Sequence, residues 1–209
     1  MEKVRKETSY YTLQNSSHLN NVELYRQIKY QVLSRFDNPL IYDIGCGTGY
    51  ITNFLGAVGY DINSEAIKYA KNKYKSNRFY NIDATDISLR KLKLKKADAI
   101  VCLNMLEHMK DSDREKFLDK VIPSIIKKSG VLIFSLYRQY YLLNIINMLL
   151  QRKSFFDKTH VHNWTVNKFI NVINKHFEIE KVQNLAGYTK ITKITSLFKT
   201  ETLIFARIR

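Results

Sequence analysis

Proline and glycine are scarce in this 209-residue chain, with two and seven copies respectively. So few turn residues argue against the many short strands of a β-sandwich. Cysteine is nearly absent. Cys46 and Cys102 sit among apolar residues and neither has a C-x-x-C partner, which argues against a disulfide framework and a structural zinc site. No apolar run reaches the roughly 20 residues that span a bilayer. The longest candidate, Tyr140 to Leu150, is broken by Asn144 and Asn147. The N-terminus, MEKVRKETSYY, is charged and polar with no apolar core behind it, so it does not read as a secretory signal. These absences lead us to expect a soluble, cytoplasmic chain. Composition is otherwise ordinary for a globular protein, 45% hydrophobic and 25% charged. The length suits one domain over residues 1–209.

The net charge of +15 is unevenly placed. Residues 66–96 hold ten basic and two acidic side chains, and residues 151–209 hold eleven and four. Fields of this kind can attract phosphate backbones or anionic lipid. A solvated lysine-rich surface accounts for them equally simply.

Apolar runs and helical periods alternate along most of the chain. Residues 20–36 space Val22, Tyr25, Ile28, Val32 and Phe36 at helical intervals. Strands are expected at Leu40 to Ile44, Ala57 to Ile62, Phe79 to Ile82, Ala97 to Leu103 and Val131 to Leu136, and late candidates at Phe177 to Val182 and Thr202 to Ile208. Between them lie helical stretches from Ser64 to Tyr74, capped by Ser64, from Ser112 to Lys128, capped by Ser112 and bent at Pro123, and from Thr165 to Lys175. Gly130 reads as the stop of the second of these. The alternation predicts an α/β fold with helices on both faces of a mostly parallel sheet.

The densest local signal is Ile41-Tyr42-Asp43-Ile44-Gly45-Cys46-Gly47-Thr48-Gly49, a buried strand running into glycines at alternate positions. Such a loop lets a ligand touch main chain. It is not the dinucleotide fingerprint, whose third glycine would fall at Tyr50, and it lacks the Lys-Ser/Thr pair of a P-loop. Asp61 ends the second strand, where a carboxylate can accept both hydroxyls of a ribose. Asp83 ends the third strand, where it could accept from an adenine amino group. A nucleoside-like ligand without a pyrophosphate fits this set.

These residues resemble the class I S-adenosylmethionine-dependent methyltransferases, over most of the chain. Asp43 to Gly49 resembles their first motif, Asp61 their ribose-binding acid, and Asp83-Ala84 their adenine-side motif. Ala97 to His108, with Asn104-Met-Leu-Glu107-His108, resembles the fourth motif of a small-molecule branch that includes ubiquinone- and menaquinone-type enzymes. Lys128 to Ile133 resembles the turn into strand five, and His160-Val-His162-Asn-Trp164-Thr the segment before the last helix. The resemblance implies a Rossmann-like seven-stranded sheet whose reversed final strand lies beside the fifth. It implies S-adenosyl-L-methionine as cofactor, with Gly45, Cys46, Gly47 and Gly49 around its methionine end and Asp43 orienting that loop or the cofactor amino group. Asp61 would hold the ribose, Ile62 would pack on the adenine, Asp83 and Ala84 would face its edge, and Asn104 would stand near the sulfonium. The Gly45-to-Asp61 spacing is short for a strand–helix–strand crossover, so the helix after Tyr50 must be short.

Methyl transfer needs alignment first and a base only where the acceptor must lose a proton. His108 and His160 are the candidate bases, and His162 shares a face with His160 if that segment is extended. With no third ligand in view, no metal is expected. An N-terminal segment over residues 1–38 and an insertion over residues 137–164 are expected to cover the site and choose the substrate. The 140–150 stretch could instead touch a membrane surface or bury a dimer contact. The favoured reading is transfer to a small, partly apolar acceptor. The alternatives are an RNA, DNA or protein acceptor met through the basic blocks, and a non-catalytic cofactor-binding subunit. Against a nucleic-acid acceptor, residues Asn104-Met-Leu-Glu replace the asparagine-proline-proline-tyrosine type of motif.

Overall fold

In the computed structural model, residues 22–76, 78–87, 94–137, 161–162, 164–186 and 199–209 are described. Helix α1 (Val22–Leu33) leads into strand β1 (Ile41–Ile44), the short helix α2 (Tyr50–Leu55) and β2 (Val58–Asp61). Helix α3 (Ser64–Lys73), β3 (Arg78–Asn81) and β4 (Ala97–Leu103) follow. Helix α4 (Asp111–Lys116) passes through a π-turn at Phe117–Val121 into α5 (Ile122–Ile125), and then comes β5 (Ile126–Tyr137). Helix α6 (Val166–His176), β6 (Glu178–Ala186) and β7 (Lys199–Arg207) complete the order.

The seven strands form one sheet in the order β3-β2-β1-β4-β5-β7-β6. Pairings from β3 to β5 are parallel, and β7 runs antiparallel between β5 and β6. Side chains on a strand alternate between faces, and the core follows that period. Tyr42, Ile44, Ile100, Cys102, Leu132 and Phe134 pack on one face with Phe117, Leu118, Ile122, Phe169 and Phe177. Ile41, Ala99, Val101, Val131, Ile133 and Phe205 pack on the other with Leu24, Tyr25, Ile28 and Val32 of α1. Burial on both faces is why β4 reads as an apolar run broken only by Asp98.

Local chemistry moves several boundaries from their expected places. The cap of α3 is Asn63, not Ser64: its side chain accepts from the backbone N–H of Glu65 and of Ala66, both at 3.1 Å. Helix α4 starts one residue before Ser112, which therefore cannot cap it. Lys110 takes the cap position without a side-chain bond, and Asp111 and Asp113 complement the dipole in the first turn. Gly130 is not a helix stop. It lies inside β5, where pairing jumps from Ala97↔Ile126 to Ala99↔Val131 and the extra residues bulge out.

Helix α6 is capped by Thr165, whose Oγ1 accepts from Lys168 N at 3.3 Å. Its last turn is tied to α4 and the π-turn. Lys175 Nζ is 2.7 Å from Glu115 Oε2, and His176 Nδ1 is 2.5 Å from Asp119 Oδ1. Thr165→Ala is expected to cost about 1 kcal/mol, measured as a lower urea midpoint with an unchanged slope.

Candidate functional site

The carboxyl ends of β1 to β4 converge on a cavity of about 630 Å³. At the end of β1 the chain turns sharply, and the N–H groups of Gly45 and Cys46 both donate to Tyr60 O, at 2.8 and 3.1 Å. Gly47 N donates to Asp61 Oδ2 at 2.7 Å, while Asp61 Oδ1 accepts from Asn63 N at 2.8 Å. Asp61 thus ties the β1 loop to the start of α3. Asn81 Nδ2 donates to the carbonyls of Asp61 and Ile62, at 3.0 and 2.8 Å, and fixes the β2 end from the β3 side. Ile62 stands 69% exposed at the cavity rim. Asp83 Oδ1 accepts from Thr85 N and Thr85 Oγ1, at 2.7 and 2.8 Å, and begins a tight turn over Ala84–Asp86.

Gly45, Gly47, Asp61, Ile62, Asp83, Ala84, Asn104 and His108 all line the cavity. Asp43, Cys46 and Gly49 are not among its lining residues. Asp43 is 2% exposed and accepts from Thr52 Oγ1 at 2.6 Å, which anchors α2 beneath the loop. Burial lifts its carboxyl to about 7, against the Thr52 hydrogen bond that lowers it. Gly49 caps α2, pressed against Phe79 and Ala70. Burial beside Asp43 and Asp61 pushes the Cys46 thiol far up, which favours its protonated form. The six-residue α2 accommodates the short Gly45-to-Asp61 spacing.

His108 is exposed, in a tight turn over Leu106–His108. His160 lies outside the described residues, as does most of the expected insertion. His162 stacks on Trp164 with centroids 5.4 Å apart, and its Nε2 lies 3.1 Å from Asp111 Oδ1. The opposite cavity wall was not foreseen: Met105, Met109, Lys110 and Asp113 come from the segment after β4. The run Met105 to Lys110 offers a pattern for this only once the strand end is known to face a ligand.

Deeper at the end of β4 is a polar cluster. Asn104, at φ 49°, donates from Nδ2 to Glu201 Oε1 of β7 at 3.0 Å. Ser135 Oγ of β5 is 2.8 Å from the same oxygen. Nearby Glu107 is fully buried, with no hydrogen-bond partner for either carboxylate oxygen among the described residues. Burial, reinforced by Glu201, raises its carboxyl to about 7.

Residues 42–132 match the family model of a methyltransferase domain. A structure of an S-adenosylmethionine-dependent methyltransferase from Clostridium acetobutylicum superposes with a TM-score of 0.68 at 15% identity, covering 98% of each chain. The strand order with antiparallel β7 is the arrangement the sequence resemblance implied. The chain has the fold of the class I methyltransferases. N-methyltransferase NodS from Bradyrhizobium japonicum in complex with S-adenosyl-L-homocysteine superposes with a TM-score of 0.65 at 17% identity over 90% of this chain and 87% of that one. Ubiquinone biosynthesis O-methyltransferase from Coxiella burnetii is 31% identical over 124 residues, which are 56% of this chain and 51% of the relative. The chain spans about half the length of the curated relatives it matches. No helix among the described residues is long and apolar enough to cross a membrane.

Proposed function

We propose that this protein transfers the methyl group of S-adenosyl-L-methionine to a small, partly apolar acceptor by in-line displacement. The observation that carries this reading is the convergence of the Gly45–Gly47 backbone, Asp61, Asp83 and Asn104 on one cavity at the switch point of a class I sheet. The residues fit the cofactor. Each Asp61 oxygen takes one backbone hydrogen bond and keeps acceptor capacity for two ribose hydroxyls. Exposed Ile62 offers an apolar surface to a purine, and Asp83 and Ala84 border its edge. The bound cofactor supplies a methyl on a sulfonium, a good leaving group. The chain's own work is to align the acceptor, a contribution of roughly 7–11 kcal/mol when orientation is good. His108, exposed at the cavity wall, is placed to take a proton where the acceptor is a hydroxyl or ammonium. The likeness to an enzyme named for ubiquinone biosynthesis favours a small acceptor with apolar character.

Calorimetric titration with S-adenosylmethionine and S-adenosylhomocysteine tests the reading. Saturable binding by wild type and at least a hundredfold weaker binding by Asp61→Ala are expected. A folded wild-type protein that binds neither would sink it, and binding without turnover on any acceptor class would leave a non-catalytic cofactor-binding subunit. A second reading, a nucleic-acid acceptor, draws on exposed Lys68, Lys71, Lys75 and Arg78 along α3 and the β3 edge. It requires RNA or DNA binding that falls steeply with salt.

A further inference from the structure

The cluster at the end of β4 poses a counting problem. Asn104 Nδ2 meets Glu201 Oε1 at 3.0 Å, Ser135 Oγ meets Glu201 Oε1 at 2.8 Å, and Ser135 Oγ meets Asn104 Oδ1 at 3.1 Å. Three side chains thus form a closed ring of three contacts. The amide contributes one hydrogen to the ring and the hydroxyl contributes one. Turning the amide over exchanges which edge it serves but leaves the total at two. With Glu201 ionised, one edge is therefore a pair of oxygens facing each other with no hydrogen between them. A third hydrogen, on the Glu201 carboxyl, completes all three edges: Nδ2–H to Oε1, Oε1–H to Oγ, and Oγ–H to Oδ1.

The surroundings favour that third hydrogen. Glu201 is 4% exposed and Ser135 1%. No cation pairs with Glu201 or Glu107 among the described residues. The titratable group facing Glu201 from the turn after β4 is Glu107; β5 presents Ser135 and places Tyr137 opposite in register, and β6 places Leu185 opposite in register. Two carboxyls in a dry site without a counter-charge cannot both ionise cheaply. Burial accordingly shifts the Glu201 carboxyl toward its neutral form.

We propose that Glu201 is a positioning residue that holds a proton at neutral pH and, through the closed ring with Ser135, fixes the Asn104 side chain at the cavity wall. The consequence for catalysis rests on the methyltransferase reading. A neutral ring holds Asn104 still without placing a negative charge beside a sulfonium that loses its charge on reaction. An anion there would stabilise the ground state more than the transition state.

Infrared difference spectra of the ligand-free protein, wild type minus Glu201→Gln at pH 7, test the proton directly. A protonated carboxyl C=O band unique to wild type is expected. Ser135→Ala should keep that band and shift it to higher frequency, because the acceptor of its hydrogen bond is gone. A wild-type difference consisting only of carboxylate bands would overturn the proposal. Should the glutamine variant not fold, the Asn104 side-chain amide signals of wild type, followed by nuclear magnetic resonance, decide the matter. They should hold steady through the ordinary carboxyl range near pH 4 and move together only at higher pH as the ring opens. Movement confined to the ordinary carboxyl range near pH 4 would overturn the assignment. Neither measurement involves the cofactor, so their outcome is independent of whether S-adenosylhomocysteine binds.

Discussion

Gly49→Ala is expected to destabilise the fold by about 2–5 kcal/mol, whereas Gly47→Ala, two residues away, should cost only about 1 kcal/mol. Both glycines have positive φ, 79° and 51°, so both substitutions bear left-handed strain. They differ in space. A Cβ at Gly49 would lie 2.6 Å from Phe79 Cε1 and 2.9 Å from Ala70 Cβ, and both neighbours are buried. A Cβ at Gly47 would meet nothing within 4 Å. Ligand binding should rank the other way relative to stability, because Gly47 lines the cavity and Gly49 supports it from behind. Urea unfolding beside calorimetry with S-adenosylhomocysteine separates the two. Gly47→Ala should retain its midpoint within the strain cost while binding at least tenfold more weakly. Equal stability losses in the two variants would show that backbone strain alone matters and that the Phe79 contact does not.

The same contrast explains what was legible in the sequence. The strands at the sheet centre are doubly buried, so their composition announces them, as Ala97–Leu103 does. The first loop is legible because its glycines answer a backbone requirement that few other residues meet. Breaks set by tertiary packing are less visible. Pro123 has no N–H for the carbonyl of Asp119, and the helix accommodates this with a π-turn over Phe117–Val121 before α5. Nothing in the local pattern distinguishes that from a simple bend. Likewise the bulge at the start of β5 depends on pairing with β4, not on the residues Ile126 to Gly130 alone.

Site residues divide by the same rule. Asp61 ends β2 and Asp83 lies two residues past β3, each immediately before a turn, and their positions follow from the strand pattern. Glu201 could not be found that way. It is joined to Asn104 across 97 positions, and only the insertion of β7 beside β5 brings it there. On the sequence it reads as one polar residue at the start of an apolar run. Asp43, legible as part of the loop motif, proves to be a buried anchor for Thr52, a placement that depends on how short α2 is.

The protein should lose stability as pH rises from about 4.5 to about 7, and Glu107→Gln should remove on the order of 3 kcal/mol of that loss. Glu107 has an ordinary carboxyl value near 4.5 when unfolded and about 7 in the fold, because burial, reinforced by Glu201, outweighs the backbone hydrogen bond that lowers it. Between those two values the native state keeps the proton while the unfolded chain has released it. The unfolded state then binds fewer protons, so stability falls with rising pH across this window and is flat on either side. Glutamine cannot ionise, so the variant should be less pH-sensitive and, at pH 8, more stable than wild type. Asp43, also raised to about 7 by burial, adds a slope of the same sign that Glu107→Gln leaves in place. Urea unfolding at pH 5 and pH 8 measures both. If the two proteins lose the same stability between those pH values, Glu107 is not the neutral buried acid that its surroundings require.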